Sequence, residues 1–315
     1  PTTHLMRKVG HLITRYNQGG VSANRMENIM QGLPPGGVVA HHPVYMAGDL
    51  PERPYTVKSA DHRLQTLQVR ELTYQYPLSN GHAATGVAGS GIENISFTLR
   101  RGSFTVITGR IGSGKTTLLK TLLGLLPAQS GQILWNGQLV ADPASFLAPP
   151  RAAYTAQVPQ LFSDTLRNNV LLGYPRKESD LLAAVDSAVF ENDVAAMELG
   201  LDTPVGPRGV RLSGGQIQRA AAARMFVSNA DLLVFDDLSS ALDVETEQLL
   251  WERLFDGEKG AYDSTTCLVV SHRRAALLRA DNIILLKNGR ILDEGSLDGL
   301  LSRSREMQHL WHGQA

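Results

Sequence analysis

The spacing of apolar positions changes along the chain, and each spacing predicts a different kind of element. Residues 3–30 carry apolar side chains at helical spacing, with a predicted break at Gly19-Gly20. From about Leu64, short apolar runs separated by turns predict strands. These runs are 67–70, 95–99, 104–108, 132–135, 232–235, 268–270, 283–286 and 290–292. Because helix-like stretches separate the later runs, we expect a largely parallel sheet covered on both faces.

Three other stretches differ from these runs in composition or in the spacing of their apolar residues. Residues 31–63 are rich in proline and glycine, which is typical of a linker or an extended loop. His41 and His42 lie in it, but no carboxylate or cysteine stands at ligand spacing, so the pattern does not favour a metal site. Residues 164–230 are mostly helical in pattern and predict a helical subdomain, and another helix is predicted after Ser296.

Composition narrows the class of protein. The 315 residues include 30 basic and 30 acidic ones, and this neutral balance argues against broad nucleic-acid binding. No run of 18 apolar residues and no amino-terminal signal is visible. The single cysteine, Cys267, lies in an apolar run, which indicates a buried structural thiol. The first residue is a proline, which indicates a fragment of a longer protein.

A glycine-rich turn follows the predicted strand 104–108 and fits the phosphate-binding pattern G-x-x-x-x-G-K-[ST]. Several backbone N–H groups must converge on phosphate oxygens, and glycine lets the chain come that close. We expect Lys115 to bridge the β- and γ-phosphates and the Thr116 hydroxyl to bind Mg²⁺. A turn without a ligand is the alternative, which further motifs must decide. The predicted nucleotide contacts in this turn are Gly109, Gly112, Ser113, Gly114, Lys115, Thr116 and Thr117.

Two aspartates follow the buried run 232–235. A carboxylate at the carboxyl end of a central strand can reach a magnesium ion held by Thr116, so Asp236 is the predicted metal-side acid. Asp237 points differently and is the candidate to orient or deprotonate the attacking water. The alternative is a pair of aspartates that only ends a strand and opens a turn.

A second glycine-rich turn, Leu212-Ser213-Gly214-Gly215-Gln216, opens a helix, with Ser213 at a good N-cap position. This string resembles the signature sequence of the ATP-binding cassette (ABC) family, and the resemblance covers roughly residues 65–300. The other matching motifs occur in the family's order. They are the Walker A loop at Gly109–Thr117, the Q-loop at Gln157, the Walker B strand at Leu232–Asp237, the D-loop at Ser240–Asp243 and the switch histidine at His272.

The resemblance implies an α/β fold. It has a P-loop NTPase core with a mixed sheet, an antiparallel β subdomain and an inserted α-helical subdomain at about 164–230. The cassette would span 64–300, between a tail helix at 1–30 with its linker at 31–63 and a carboxyl-terminal helix at 301–315. ATP and Mg²⁺ are the implied cofactors.

The resemblance also implies individual roles. Tyr76 would stack on adenine, with Tyr74 as the fallback. Gln157 would touch the magnesium shell and the attacking water, and His272 would donate to the γ-phosphate. The signature residues Ser213, Gly214, Gly215 and Gln216 would bind ATP held by a second cassette, because family members pair head to tail with ATP at the interface.

Two segments, 162–170 and 203–209, resemble exporter-type sequences that face a membrane domain, and 21–26 resembles the tail of an exporter's last membrane helix. The implied partners are therefore a second cassette, identical or different, and a transmembrane domain. The implied location is the cytoplasmic face of the cell membrane. Pro207 stands where exporters usually carry glutamate, which puts the contact through that loop in question.

Asp237 is the larger departure, because hydrolytic cassettes usually have glutamate there. The shorter side chain withdraws the carboxylate by roughly 1.5 Å, and a misplacement of about 1 Å can cost about 10²-fold in rate. We therefore predict an exporter ATPase domain whose own site is slow. The resemblance implies the degenerate-site subunit of a heterodimer, in which the intact signature Leu212–Gln216 serves the competent site of the partner. The alternatives are a regulatory cassette with little or no hydrolysis and an ABC ATPase that does not act in transport.

Overall fold

The structure, a computed structural model, describes residues 11, 13–22, 58, 63–77, 91–206, 209–238, 242–255 and 265–313. The chain divides into two compact units, Pro1–Pro54 and Tyr55–Ala315. Among the described residues, no helix combines the length and the apolar content that crossing a bilayer requires.

In the first unit, residue 11 and residues 13–22 are helical. The helix continues through Gly19-Gly20, so the predicted break there is wrong. Glycine costs a helix about 1 kcal/mol relative to alanine but does not forbid it. The remaining calls on this unit, including the second helical piece near Met26 and the histidines of the linker, lie outside the described residues.

Two larger sheets and one short ladder organise the second unit. The strands are β1 Thr66–Gln75, β2 Gly91–Arg100, β3 Phe104–Thr108, β4 Ser130–Trp135, β5 Gln138–Leu139, β6 Ala152–Thr155, β7 Asp164–Thr165, β8 Pro204–Val205, β9 Leu232–Asp236, β10 Thr266–Val270, β11 Asn282–Lys287 and β12 Arg290–Gly295. The central sheet has the order β12-β11-β3-β10-β9-β6, a second sheet has the order β2-β1-β4-β5, and β7 pairs with β8.

The central sheet is mixed, because β11, β3, β10, β9 and β6 run parallel and β12 pairs antiparallel with β11. Alternate side chains of its strands enter two different cores. In β9, Leu233 and Phe235 pack into one core, while Leu232 and Val234 pack into the other. Both faces are therefore buried, which explains why these strands appear in the sequence as unbroken apolar runs.

Helices cover both faces of the central sheet. They are α1 Lys115–Leu122, α2 Pro143–Phe146, α3 Leu166–Leu171, α4 Glu178–Ser187, α5 Glu191–Ala196, α6 Gly214–Val227, α7 Val244–Phe255, α8 Arg274–Arg279, α9 Leu297–Arg303 and α10 Arg305–His312. The antiparallel sheet and α1 share one core. The other core includes α3, α4, α6 and α7, where Trp251 packs edge-to-face on Phe104 and Phe235 at 5.2 and 5.4 Å.

The fold agrees with the mixed sheet, the antiparallel sheet and the helical stretch expected from the sequence. Strand β6 is an addition that the apolar pattern does not reveal, because Ala152–Thr155 lacks a long apolar run. Helix α9 begins after Ser296 as predicted, and Ser304 then ends α9 and caps a separate helix, α10. Cys267 is buried, and burial raises the pKa of its thiol, which agrees with a structural role.

Candidate functional site

Four predicted site segments leave the same edge of the central sheet. The phosphate loop follows β3, Gln157 follows β6, Asp236 ends β9 and His272 follows β10. These four strands are parallel, so their carboxyl ends share one edge. The topology therefore gathers motifs that are separated by up to about 160 residues in the sequence.

Glycine is required in the phosphate loop for two different reasons. Gly109 has φ +147°, and a Cβ there would lie 2.2 Å from the Leu286 carbonyl oxygen. Gly112 has φ +79°, but a Cβ there would meet nothing within 4 Å. The first glycine allows a close approach between two backbone segments, and the second allows a turn conformation that L-residues disfavour.

Lys115 begins α1 and folds back over this loop. Its Nζ donates to the carbonyl oxygens of Gly109 and Arg110 at 2.8 and 2.9 Å. Burial lowers the pKa of Lys115, while the negative charges of Asp237 and Asp236 act in the opposite direction. The Ser113 Oγ is buried and has no hydrogen-bond partner among the described residues. The loop thus holds a cation and a buried hydroxyl that could serve an anion.

Asp236 connects the phosphate loop to β9. Its Oδ1 accepts a hydrogen bond from Thr116 Oγ1 at 3.0 Å, and its Oδ2 accepts one from the Tyr154 hydroxyl at 3.2 Å. Asp236 is 1% exposed, and burial is the main cause that raises the pKa of its carboxyl. A hydroxyl and a carboxylate at this separation are hard oxygen donors, the chemistry that Mg²⁺ requires.

Asp237 has a left-handed backbone, with φ +55°. Its N–H donates to the Val270 carbonyl oxygen at 3.1 Å, which ties the end of β9 to β10. Gln157 Nε2 donates to Asp237 Oδ2 at 3.2 Å, while the buried Asp237 Oδ1 has no hydrogen-bond partner among the described residues. The structure therefore brings Gln157 and Asp237 into contact, as expected for two side chains that are predicted to act on the same water.

The second glycine-rich turn caps α6. Ser213 Oγ accepts from Gln216 N at 3.3 Å, and Gln216 Oε1 accepts from Ser213 N at 2.9 Å, which forms a capping box. Gln216 Nε2 also donates to Asp193 Oδ1 at 3.0 Å, so this side chain is already engaged within the chain. Within the described part of the chain, no hydrogen bond or ion pair joins Ser213–Gln216 to the phosphate loop.

Of the remaining predicted residues, Tyr76 and His272 lie at exposed positions. Tyr76 is 43% exposed and its ring packs edge-to-face on Tyr74 at 5.0 Å, whereas Tyr74 is 8% exposed. The geometry thus favours Tyr76 over Tyr74 as a free aromatic face. His272 is exposed in the loop between β10 and α8, and Thr117 lies in the first turn of α1. Ser240 and Ala241 of the D-loop, together with Pro207, lie outside the described residues.

Comparison with known proteins identifies the domain. Residues 92–240, which include the phosphate loop, the glycine-rich turn before α6 and Asp236-Asp237, match the sequence model of the ABC transporter family. The chain belongs to the ABC transporter family. A domain of this family binds ATP.

Two similar proteins are flippases by name. This ABC domain is 39% identical over 222 residues to an ATP-dependent lipid A-core flippase of Burkholderia orbicola, covering 70% of this chain and 36% of the flippase. It is 37% identical over 242 residues to the protein of the same name from Pseudomonas fluorescens, covering 76% of this chain and 38% of the relative. The chain therefore spans just over a third of the length of these relatives.

A solved structure also resembles the chain. It is a bacterial Atm1-family ABC exporter with ATP bound, which superimposes with a TM-score of 0.70 at 27% identity. The superposition covers 95% of this chain and 48% of the exporter chain. The ABC fold expected from the sequence is therefore confirmed.

Three side chains of this ABC domain contact the site segments although no motif identified them. Tyr154 contacts Asp236, as described above. Gln218, on α6, is 3% exposed and donates to the Gln157 carbonyl oxygen at 2.7 Å. Arg273, next to His272, donates to the Leu242 carbonyl oxygen at 2.8 Å. Gln218 and Arg273 stand close to recognised motifs in the sequence, and this proximity is the signal that could have indicated them. The contact between Tyr154 and Asp236 could not be predicted in this way, because it depends on β6 lying beside β9.

Proposed function

We propose that this chain is the ATP-binding and ATP-hydrolysing domain of an ABC exporter, in which ATP-driven closure of a cassette pair drives transport across a membrane. The observation that carries the proposal is the arrangement of Thr116, Asp236, Asp237 and Gln157 at one sheet edge, directly beside the phosphate loop. The exporter relatives support the transport part of the proposal.

In the proposed site, Lys115 leaves the loop carbonyls and binds the β- and γ-phosphates, and the loop N–H groups surround them. Thr116, Asp236 and Gln157 are the residues that would hold Mg²⁺. The metal ion would neutralise the charge that develops on the phosphates. Asp237 and Gln157 orient the attacking water, and His272 donates to the γ-phosphate.

The proposed site is completed by a second cassette, identical to this chain or different from it. Ser213 caps α6 and Gly214 and Gly215 begin it, and no hydrogen bond or ion pair of the described residues joins them to the phosphate loop of their own chain, which supports a role toward ATP held by the partner. Closure of the pair would exclude water and assemble the site. We place the cassette at 64–300, beside a transmembrane domain on the cytoplasmic face of the cell membrane.

Calorimetric titration of the chain with ATP and Mg²⁺ tests the binding part. We expect Lys115→Ala to weaken ATP binding more than 10-fold, because it removes the charge that faces the phosphates. Asp236→Asn should abolish the effect of Mg²⁺ while Mg²⁺-free nucleotide still binds. Lys177→Ala, which removes an exposed lysine before α4, is the matched control and should bind as the wild type does. If Lys115→Ala and Asp236→Asn both bind ATP and respond to Mg²⁺ as the wild type does, the proposed site is refuted.

The rate of hydrolysis is a separate question, because Asp237 is one methylene shorter than the usual glutamate. The unpartnered Asp237 Oδ1 supports a slow site, since one carboxylate oxygen lacks a hydrogen-bond donor in the described part of the chain. We expect single-turnover hydrolysis to be about 10²-fold faster in Asp237→Glu than in the wild type. Asp237→Asn should be slower than both. A fast wild type that gains nothing from glutamate would contradict the slow site. Hydrolysis absent from both proteins would favour a regulatory cassette.

A further inference from the structure

The acid that ends β9 has two oxygens, and each has its own hydroxyl donor. Thr116 Oγ1 donates to Asp236 Oδ1 at 3.0 Å, and the Tyr154 hydroxyl donates to Asp236 Oδ2 at 3.2 Å. Thr116 comes from the phosphate loop, whereas Tyr154 comes from β6, on the other side of β9 from β10. The carboxylate is therefore held from two sides.

The strand pairing fixes where the Tyr154 hydroxyl lies. Tyr154 pairs with Val234, and Thr155 pairs with Phe235, in the parallel ladder between β6 and β9. Tyr154 therefore stands two residues before the level of Asp236, and its long ring carries the hydroxyl forward to the carboxylate. A shorter polar side chain at this position would not reach Asp236.

The chemistry of the donor suits a metal-binding carboxylate. The phenol is neutral, so it holds Asp236 without bringing a positive charge that would compete with a cation. A phenol ordinarily ionises only at about pH 10, so at neutral pH the hydroxyl keeps the proton that it donates to Asp236 Oδ2. With Oδ2 occupied, Oδ1 is the oxygen directed at Thr116.

We propose that Tyr154 is a positioning residue for the metal ion. Its hydroxyl fixes the plane of the Asp236 carboxylate so that Oδ1, together with Thr116, presents the oxygen pair that receives Mg²⁺. This inference rests on the proposed function, because it concerns the same Mg-ATP site. Outer hydrogen bonds of this kind commonly change metal affinity by about 10- to 100-fold when they are removed.

The test is the magnesium dependence of nucleotide binding in the full chain, read without turnover. A non-hydrolysable ATP analogue is titrated at a series of Mg²⁺ concentrations, which gives the Mg²⁺ midpoint for tight binding. In Tyr154→Phe we expect the midpoint to rise about 10-fold, with Mg²⁺-free analogue affinity unchanged. Tyr174→Phe, which removes a hydroxyl after α3, is the matched control and should keep the wild-type midpoint.

A double-mutant cycle tests whether the effect passes through Asp236. In an Asp236→Asn background, adding Tyr154→Phe should change analogue binding no further at any Mg²⁺ concentration. A further loss in that background would overturn the proposal, because Tyr154 would then act by another route.

Thermal unfolding separates positioning from support of the fold. A lowered melting temperature with an unchanged Mg²⁺ midpoint would overturn the inference and leave the proposed function standing. A wild type that binds the analogue with no response to Mg²⁺ would overturn the proposed magnesium site, and the inference with it.

Discussion

Two acidic residues of this domain are almost completely buried and differ in their neighbours. Asp236 and Glu247 are each 1% exposed. Asp236 accepts hydrogen bonds only from the hydroxyls of Thr116 and Tyr154 within the described residues. Glu247 forms an ion pair with Arg273 at 3.0 Å and also accepts from Trp251 Nε1 at 3.3 Å. At the scale of residues, one buried carboxylate has no ion-pair partner among the described residues and the other is neutralised within the fold.

Removing the partner of Glu247 should therefore be costly. We expect Arg273→Ala to lower the free energy of unfolding by about 3 kcal/mol, because a buried carboxylate then stays unpaired. Arg290→Ala is the matched control, since the Arg290–Glu93 pair is shorter, at 2.6 Å, but both side chains are about half exposed or more. It should cost at most about 1 kcal/mol. Urea unfolding measures both, and equal losses would contradict the argument from burial.

At the scale of elements, the phosphate loop and the carboxyl-terminal helix lie against each other. Arg110 in the loop and Lys287 at the end of β11 both form ion pairs with Glu306 of α10, at 2.5 and 2.9 Å. Gly289 N also donates to the Ser113 carbonyl oxygen at 3.0 Å. The loop is thus held by segments that follow it by more than 170 residues.

The two loop glycines should respond differently to alanine. Gly109→Ala places a Cβ against the Leu286 carbonyl, so we expect loss of stability and of ATP binding together. Gly112→Ala has open space around its Cβ and meets only the strain of φ +79°. It should cost about 1–2 kcal/mol in unfolding and still impair ATP binding, because relaxing that strain turns the loop N–H groups away. A thermal melt and an ATP titration for each variant test this contrast, and indistinguishable melts would contradict it.

The ion pairs of Glu306 predict a pH dependence. Hydrogen bonds from Lys287, and then from Arg110, lower the pKa of Glu306. A lowered carboxyl pKa contributes stability above its unfolded value of about 4.3, and this stability is lost as the pH falls through the folded value. Glu306→Gln should therefore cost about 1 kcal/mol at pH 7, and the difference from wild type should shrink below about pH 4.

Urea unfolding across this pH range measures the effect of Glu306→Gln. Glu198→Gln, which removes an exposed carboxylate far along the chain from the contacts of Glu306, is the control. Its free energy of unfolding should differ little from that of the wild type at pH 7 or below about pH 4. A Glu306→Gln loss that stays constant with pH would show that the contact acts through packing rather than charge.

At the scale of the whole molecule, the chain carries two glycine-rich turns, at 109–117 and 212–216, and within the described residues no hydrogen bond or ion pair joins them. In the proposed head-to-tail pair, each site takes its phosphate loop from one chain and its signature turn from the other. Mixing two variants tests this proposal. If each variant lacks a different half of the site, a mixed pair still contains one complete site.

Lys115→Ala removes the phosphate-loop half of a site and Ser213→Arg removes the signature half. We expect each variant alone to retain almost no ATP after rapid gel filtration. An equal mixture should retain about a quarter of the wild-type amount, since half of random pairs are mixed and each has one of two sites intact. Doubling the concentration of either variant alone is the control. A mixture that retains no more than its components would contradict shared sites.

The chemistry of the site could be predicted from the sequence because it depends on local patterns. Lys115, Thr116, Asp236 and Ser213 were all identified from their turns and strand ends, and the structure places them as hydrogen-bonding or capping groups there. Asp237, from its place after the strand, and Gln157, from the family resemblance, are each predicted to act on the attacking water, and Gln157 Nε2 donates to Asp237 Oδ2. The predicted break at Gly19-Gly20 is wrong, because the low helix propensity of glycine does not by itself end a helix.

The sequence by itself determined the phosphate loop, the acids and the alternation of strands and helices, because spacing and residue type act within a few residues. Only the tertiary structure decided which distant groups surround those motifs. Tyr154 reaches Asp236 because β6 lies beside β9, and Glu306 reaches Arg110 because α10 returns to the phosphate loop. Strand order and the docking of helices arise from packing over the whole chain, and no local pattern records them.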